Sequence, residues 1–135
     1  MRIEYMRHRL DNWARWKARE TGGGLGYASQ SAFLNERVDR YREVSIPVDD
    51  VEAGVTDMAI QALKAADPDL HKTLHLYYLS RDAGSAKRIG QQLGRDPSTI
   101  HAHLERSDRW LSAWLRERQA RLDEQRRAME RSSTA

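Results

Sequence analysis

His71 and His75 stand four residues apart, a spacing that puts two imidazoles on one face of a helix and could begin a zinc site. No glutamate adjoins His71 in the metalloprotease arrangement and the chain has no cysteine, so the pair reads as ordinary surface or boundary histidines. The run Gly22, Gly23, Gly24, Leu25, Gly26 invites comparison with a phosphate-binding loop. No Lys-Ser/Thr pair follows it and no strand precedes it, which leaves a joint that lets the first helix move. His8, His101 and His103 have no acid or nucleophile at a spacing that would activate them, and His103 is expected to pack or to lie near a phosphate. With no paired carboxylates and no nucleophile beside a base, neither an enzyme nor a metal or other cofactor is expected.

The remaining chemistry is recognition, and it concentrates between Ser85 and Leu104. Ser85 can cap a short helix whose inner face is Ile89 and Leu93, with Gly90 between them small enough for a second helix to cross closely. Gly94 supplies a left-handed turn, Asp96 caps the next helix, Pro97 opens it, and Ile100 and Leu104 pack it back onto the first. The pattern predicts a helix-turn-helix over 85–106 whose second helix can enter a DNA major groove. Ser98, Thr99, His101 and, one turn on, Ala102 and Glu105 or Arg106 would face base edges, while Lys87, Arg88, Arg95 and Arg109 would hold phosphates. A plain helical hairpin with solvated basic residues is the competing reading.

Several elements must position that hairpin. Ile3, Met6, Leu10, Trp13 and Trp16 recur at spacings of three and four, which predicts a first helix with Arg2, Arg7, Arg9, Arg15, Lys17 and Arg19 on its other faces; Thr21 and the glycines end it. Ser31 can cap a short helix through Ala32, Phe33, Leu34 and Val38, and residues 39–50 read as a connection in which Ile46 precedes Pro47. A helix from Asp49 or Asp50 carries Val51, Val55, Met58, Ala59, Ala62 and Leu63 as its apolar stripe. Asp67 and Pro68 restart the chain for a helix that buries Leu70, Leu74, Tyr77 and Tyr78 and stops between Ser80 and Gly84. Trp110, Leu111, Trp114 and Leu115 close the core. Beyond them Leu122 and Met129 continue at seven-residue spacing, too sparse to predict a coiled coil, and residues 131–135 read as disordered. No strand or internal repeat is expected, so the fold class is all-α: a small helical domain with a long C-terminal helix.

At 135 residues the chain suffices for one domain or two very small ones, and the absence of cysteine excludes disulfide frameworks and thiolate metal sites. The formal charge of +3 is unevenly spread: residues 1–44 carry nine basic and six acidic groups, 45–69 one and six, 70–109 seven and four, 110–135 six and four. An acidic segment thus interrupts a basic chain, a pattern that suits a nucleic-acid binder with a second, acidic surface, and equally a set of solvated helix faces. No signal peptide or membrane span is read, and reducing cytosol is the expected compartment.

The hairpin resembles that of sigma factor region 4, through Ser98, Thr99, Ile100, His103 and Leu104. The first half adds Trp13-Ala-Arg-Trp16 and Gly24-Leu25-Gly26-Tyr27-Ala28-Ser29-Gln30-Ser31. Together, over residues 3–115, these resemble the short, zinc-free Q-type antitermination proteins of lambdoid phages and prophages, with Ala28 where proline is expected. The resemblance implies a regulator of late phage genes that works in the host bacterial cytoplasm. Such a protein binds a DNA element near a promoter, engages RNA polymerase paused with its sigma factor, and travels with the enzyme past terminators. It implies two protomers loading at the DNA element. It also implies a polymerase-engaging region in residues 1–44 around Trp13, Trp16, Gly24, Gly26 and Tyr27, a DNA-binding domain over 45–118, and a C-terminal extension over 119–135. A conventional DNA-binding regulator or a phage small terminase subunit is the alternative.

Overall fold

Three of the helices begin on a side chain that accepts a hydrogen bond from the backbone of their first turn. Asp49 accepts from Glu52 N (3.0 Å), Asp67 from Leu70 N (3.2 Å) and Ser85 from Arg88 N (3.2 Å). In this computed structural model, which describes residues 1–22 and 48–133, the helices are α1 (Glu4–Gly22), α2 (Asp50–Ala66), α3 (Pro68–Leu79), α4 (Ala86–Leu93) and α5 (Pro97–Ser133). The described residues form no strand. The predicted helix capped by Ser31 and the Ile46-Pro47 connection fall outside the described residues, as do Gly24, Gly26 and Tyr27.

All five helices contribute to one core. Met6, Leu10 and Trp13 of α1 meet Ile60 and Leu63 of α2, Leu74 of α3, Ile89 of α4, and Ile100, Leu104 and Leu111 of α5, all fully buried. Burial of each such side chain contributes about 1.5–3 kcal/mol. α1 thus shares one core with the helices of the 45–118 segment. A first helix that swings on a glycine joint would expose Met6, Leu10 and Trp13 together.

Polar pins hold α1 in place. Buried Asn12 donates through Nδ2 to Asp49 O and accepts from Asp49 N through Oδ1, both at 2.9 Å, so it fixes the start of α2. Trp13 Nε1 donates to Asp57 Oδ1 (3.0 Å), and Arg9 Nε donates to Thr56 Oγ1 (3.2 Å). Arg19 pairs with Asp50, and Lys17 with Asp57 at 3.4 Å. Two of the six carboxylates in the acidic segment, Asp50 and Asp57, thus engage the first helix, while those of Asp49 and Asp67 cap helices.

Two sequence expectations change. Of the predicted α2 stripe, Ala59 and Leu63 enter the core, joined by Ala53, Thr56 and Ile60, whereas Val51 and Met58 point to solvent. α5 remains helical to Ser133, through residues 131–133 that read as disordered. Its 37 residues span about 55 Å at 1.5 Å per residue, and from Arg116 onward most are exposed.

Candidate nucleic-acid interface

The turn between α4 and α5 is built from two glycines with different tasks. Gly94 is left-handed (φ 66°, ψ 36°), and around it Arg95 N donates to Gly90 O (2.8 Å) and Gly94 N to Gln91 O (3.4 Å). This is the paired bond pattern of a Schellman stop, which satisfies carbonyls that the end of α4 would leave unpaired. A Cβ on Gly90 would lie 2.5 Å from the Arg95 carbonyl oxygen. Glycine is therefore needed there for the turn's own backbone, not for the crossing of a second helix as the sequence suggested. Asp96 starts α5 by a different route from the expected side-chain cap: its main-chain carbonyl accepts from Thr99 N (3.0 Å) and Ile100 N (3.3 Å).

With Ile100, Leu104, Ser107 and Leu111 buried, the 100° step per residue turns Ser98, Ala102, Glu105 and Arg109 to the opposite side of α5. His101 and Arg106 flank that stripe, both exposed. Thr99 is half-buried and, with Gly90, Gln91, Gly94, Arg95 and Asp96, lines a surface depression at the turn. Gln91 was not singled out by its type; only its place three residues before Gly94 could have marked it. Lys87, Arg88 and Arg95 are exposed around the same turn. Arg88 is partly engaged by Asp82 at 3.5 Å, which also accepts from Gln92 Nε2 (2.7 Å). Glu105, the acid on the stripe, is paired with the amino group of Met1 at 2.7 Å, and that hydrogen bond holds its carboxyl below the usual range.

His103 sits behind this surface, buried, with Nδ1 2.9 Å from Thr73 Oγ1. The Thr73 hydroxyl also lies 3.1 Å from Asp69 O, a geometry that suits donation to that carbonyl and acceptance from a protonated Nδ1. Burial lowers the His103 pKa, and the positive charges of Arg95 and Arg106 lower it further. It is a packing residue that ties α5 to α3.

The residue that fixes the angle of α5 was not read from the sequence. Asp108 is wholly enclosed and accepts from Arg2 Nε and Nη2 (2.8 Å each) and from Ile3 N (3.0 Å), while Arg2 Nη2 also donates to Tyr78 Oη (2.8 Å). Burial opposes the Arg2 charge, yet the hydrogen bond to Asp108 leaves its pKa raised; burial pushes the Tyr78 hydroxyl up to about 12 despite the pull of Arg2. Arg2 was grouped with solvated cations because spacing carries no sign of a partner 106 residues away.

Trp13 is fully buried, which removes it from the residues available to a partner in this state; Trp16 is half-buried against the core. The His71 and His75 rings lie 5.2 Å apart, and His75 meets Trp13 edge-on at 5.9 Å. Burial lowers the pKa of half-buried His71; that of His75, exposed over much of its surface, is lowered by desolvation on its inner side and by the charges of Lys17 and Lys64. Among the described residues no three potential metal ligands gather, and no helix is long and apolar enough to cross a membrane. No protein-family model, curated protein or solved structure matches the chain.

Proposed function

We propose that the chain binds double-stranded DNA through α4 and the first turns of α5, and that it does so as a phage transcription antitermination factor acting with host RNA polymerase and its sigma factor. The observation that carries DNA binding is the turn: Gly90 and Gly94 fix α5 so that Ser98, Ala102, Glu105 and Arg109 form one outward stripe, with Lys87, Arg88 and Arg95 exposed beside it. A helix presented by its N-terminal residues, flanked by cations that hold phosphates, is the docking mode of a helix-turn-helix in the major groove. Antitermination rests on the likeness of the Trp-x-x-Trp and Gly-Leu-Gly-Tyr segments to the Q-type proteins.

Enclosure of Trp13 favours a second reading, a DNA-binding regulator that does not engage polymerase. Two experiments separate them. Footprinting on the DNA that flanks the gene is expected to show a protected element, and Thr99→Ala with Arg95→Ala is expected to abolish protection with helicity intact. Transcription in vitro from a template bearing that element is expected to read through a downstream terminator. Tight specific binding with unchanged termination would leave the DNA-binding regulator as the function.

A further inference from the structure

Helix α2 is apolar on two faces. Opposite its core residues, the 100° step per residue gathers Val51, Gly54, Val55, Met58, Gln61, Ala62 and Ala65, with no charged side chain among them. Val51 is 80% and Met58 53% exposed, and a Cβ on Gly54 would meet nothing within 4 Å. A surface helix ordinarily places charge on this side; a contiguous uncharged apolar face marks a surface that another molecule covers.

We propose that this face joins two copies of the chain, α2 against α2 in antiparallel orientation, with the two-fold axis passing beside Met58. An isologous interface must be complementary to itself, and this one is. About an axis at Met58, that residue meets its own counterpart, Val51 faces the partner's Ala65, and Gly54 faces the partner's Ala62. Val51 thus packs on a small side chain, and the Gly54–Ala62 pairs let the two helices approach closely on either side of Met58. Charge selects the same orientation. Asp50, Asp57 and Lys64 lie along one flank of α2, and in an antiparallel pair that flank meets its own counterpart, so Asp50 comes within two residues of Lys64 of the partner subunit, twice by symmetry, while Asp57, held by Lys17, lies near the axis. Asp50, already beside Arg19, then stands between two cations. A parallel pair would instead align the helix dipoles and bring together two first turns that each carry Asp50 and Glu52.

One helix face is about half of the roughly 800 Å² per partner that a stable interface buries, so the dimer is expected to be weak and to build up only at high concentration. The proposal is independent of DNA binding and stands or falls without it.

The cysteine-free chain makes the test direct. Under oxidising conditions Met58→Cys is expected to form a disulfide-linked dimer, because the two positions meet at the axis. A Val51→Cys/Ala65→Cys double variant is expected to link as well, whereas Val51→Cys alone is not, since the two Val51 positions lie about 21 Å apart along the antiparallel pair. In sedimentation runs from 10 µM to about 0.5 mM the unmodified chain is expected to show a rising average mass. Met58→Glu, at an exposed site, is expected to stay monomeric with unchanged circular dichroism. A chain that remains monomeric throughout, as it would with another segment of its own covering the face, overturns the proposal. So does a Met58→Glu variant that dimerises like the parent, or linkage of Val51→Cys as efficient as that of Met58→Cys.

Discussion

Two glycines in helix interiors of this protein should respond to the same substitution with opposite signs. Helix propensity alone expects Gly→Ala to stabilise an exposed helix interior by about 0.5–1 kcal/mol. At Gly54, where a Cβ meets nothing within 4 Å, that gain is expected in full. At Gly90 the added Cβ would lie 2.5 Å from the Arg95 carbonyl oxygen, roughly 0.9 Å inside ordinary contact, and the obstacle is backbone. Relief requires the turn to move, which strains the Arg95 N to Gly90 O and Gly94 N to Gln91 O bonds, each contributing on the order of 1 kcal/mol. Overpacking of this kind costs about 1–3 kcal/mol. Set against the propensity gain, Gly90→Ala is expected to be destabilising by about 0.5–2 kcal/mol. Urea unfolding followed by circular dichroism at micromolar concentration measures both variants with one slope model. A Gly90→Ala protein as stable as the parent, or more so, would refute the claim that the turn backbone demands glycine. The same variant is expected to lose site-specific DNA binding, because the turn sets the direction of α5.

The buried pair gives a larger effect. Asp108→Ala leaves the Arg2 guanidinium and Ile3 N–H without their acceptor, and removing one partner of a buried ion pair costs about 3–5 kcal/mol. A loss below 1 kcal/mol in the same unfolding assay would contradict this account. Two histidines weaken the fold in acid: His71 and His103 have folded pKa values lowered by burial from the ordinary value near 6.5. The folded state therefore favours the neutral imidazoles. Their contribution is complete above about pH 6.5 and is lost as pH falls through 6.5 toward the folded values. His103→Gln is expected to flatten the fall in stability between pH 7 and 5, and an unchanged slope counts against it. For DNA binding, Lys87→Ala is expected to weaken affinity evenly across sequences and to reduce the log–log salt slope by about one; an unchanged slope would remove Lys87 from the phosphate contacts.

Much of the hairpin was legible because its signals are local. Ser85, Gly94, Pro97, Ile100 and Leu104 act within one or two turns of their own position, so capping and periodicity suffice to place them. The same holds for α1, whose stripe from Ile3 to Trp16 is the one that the core receives. Reading failed where periodicity is ambiguous or the partner is distant. α2 has apolar residues on two faces, and spacing cannot say which turns inward; the predicted stripe mixed Met58 with Ala59 and missed Ile60. Trp13 was placed in the stripe of α1 by its spacing and in a polymerase-engaging region only by the resemblance; the structure shows that it is fully buried.

The sequence by itself determined an all-α chain, the limits of the described helices to within a few residues, and the left-handed stop at Gly94. Each of these depends on backbone preference and on residues a few positions apart. Only the tertiary structure decided that α1 shares the core of the hairpin, that Arg2 reaches Asp108, that Asn12 holds the start of α2, and that Gly90 clears the Arg95 carbonyl. Those are meetings between atoms brought together by folding, and their energies depend on burial and on distances of a few tenths of an ångström, which no spacing along the chain encodes.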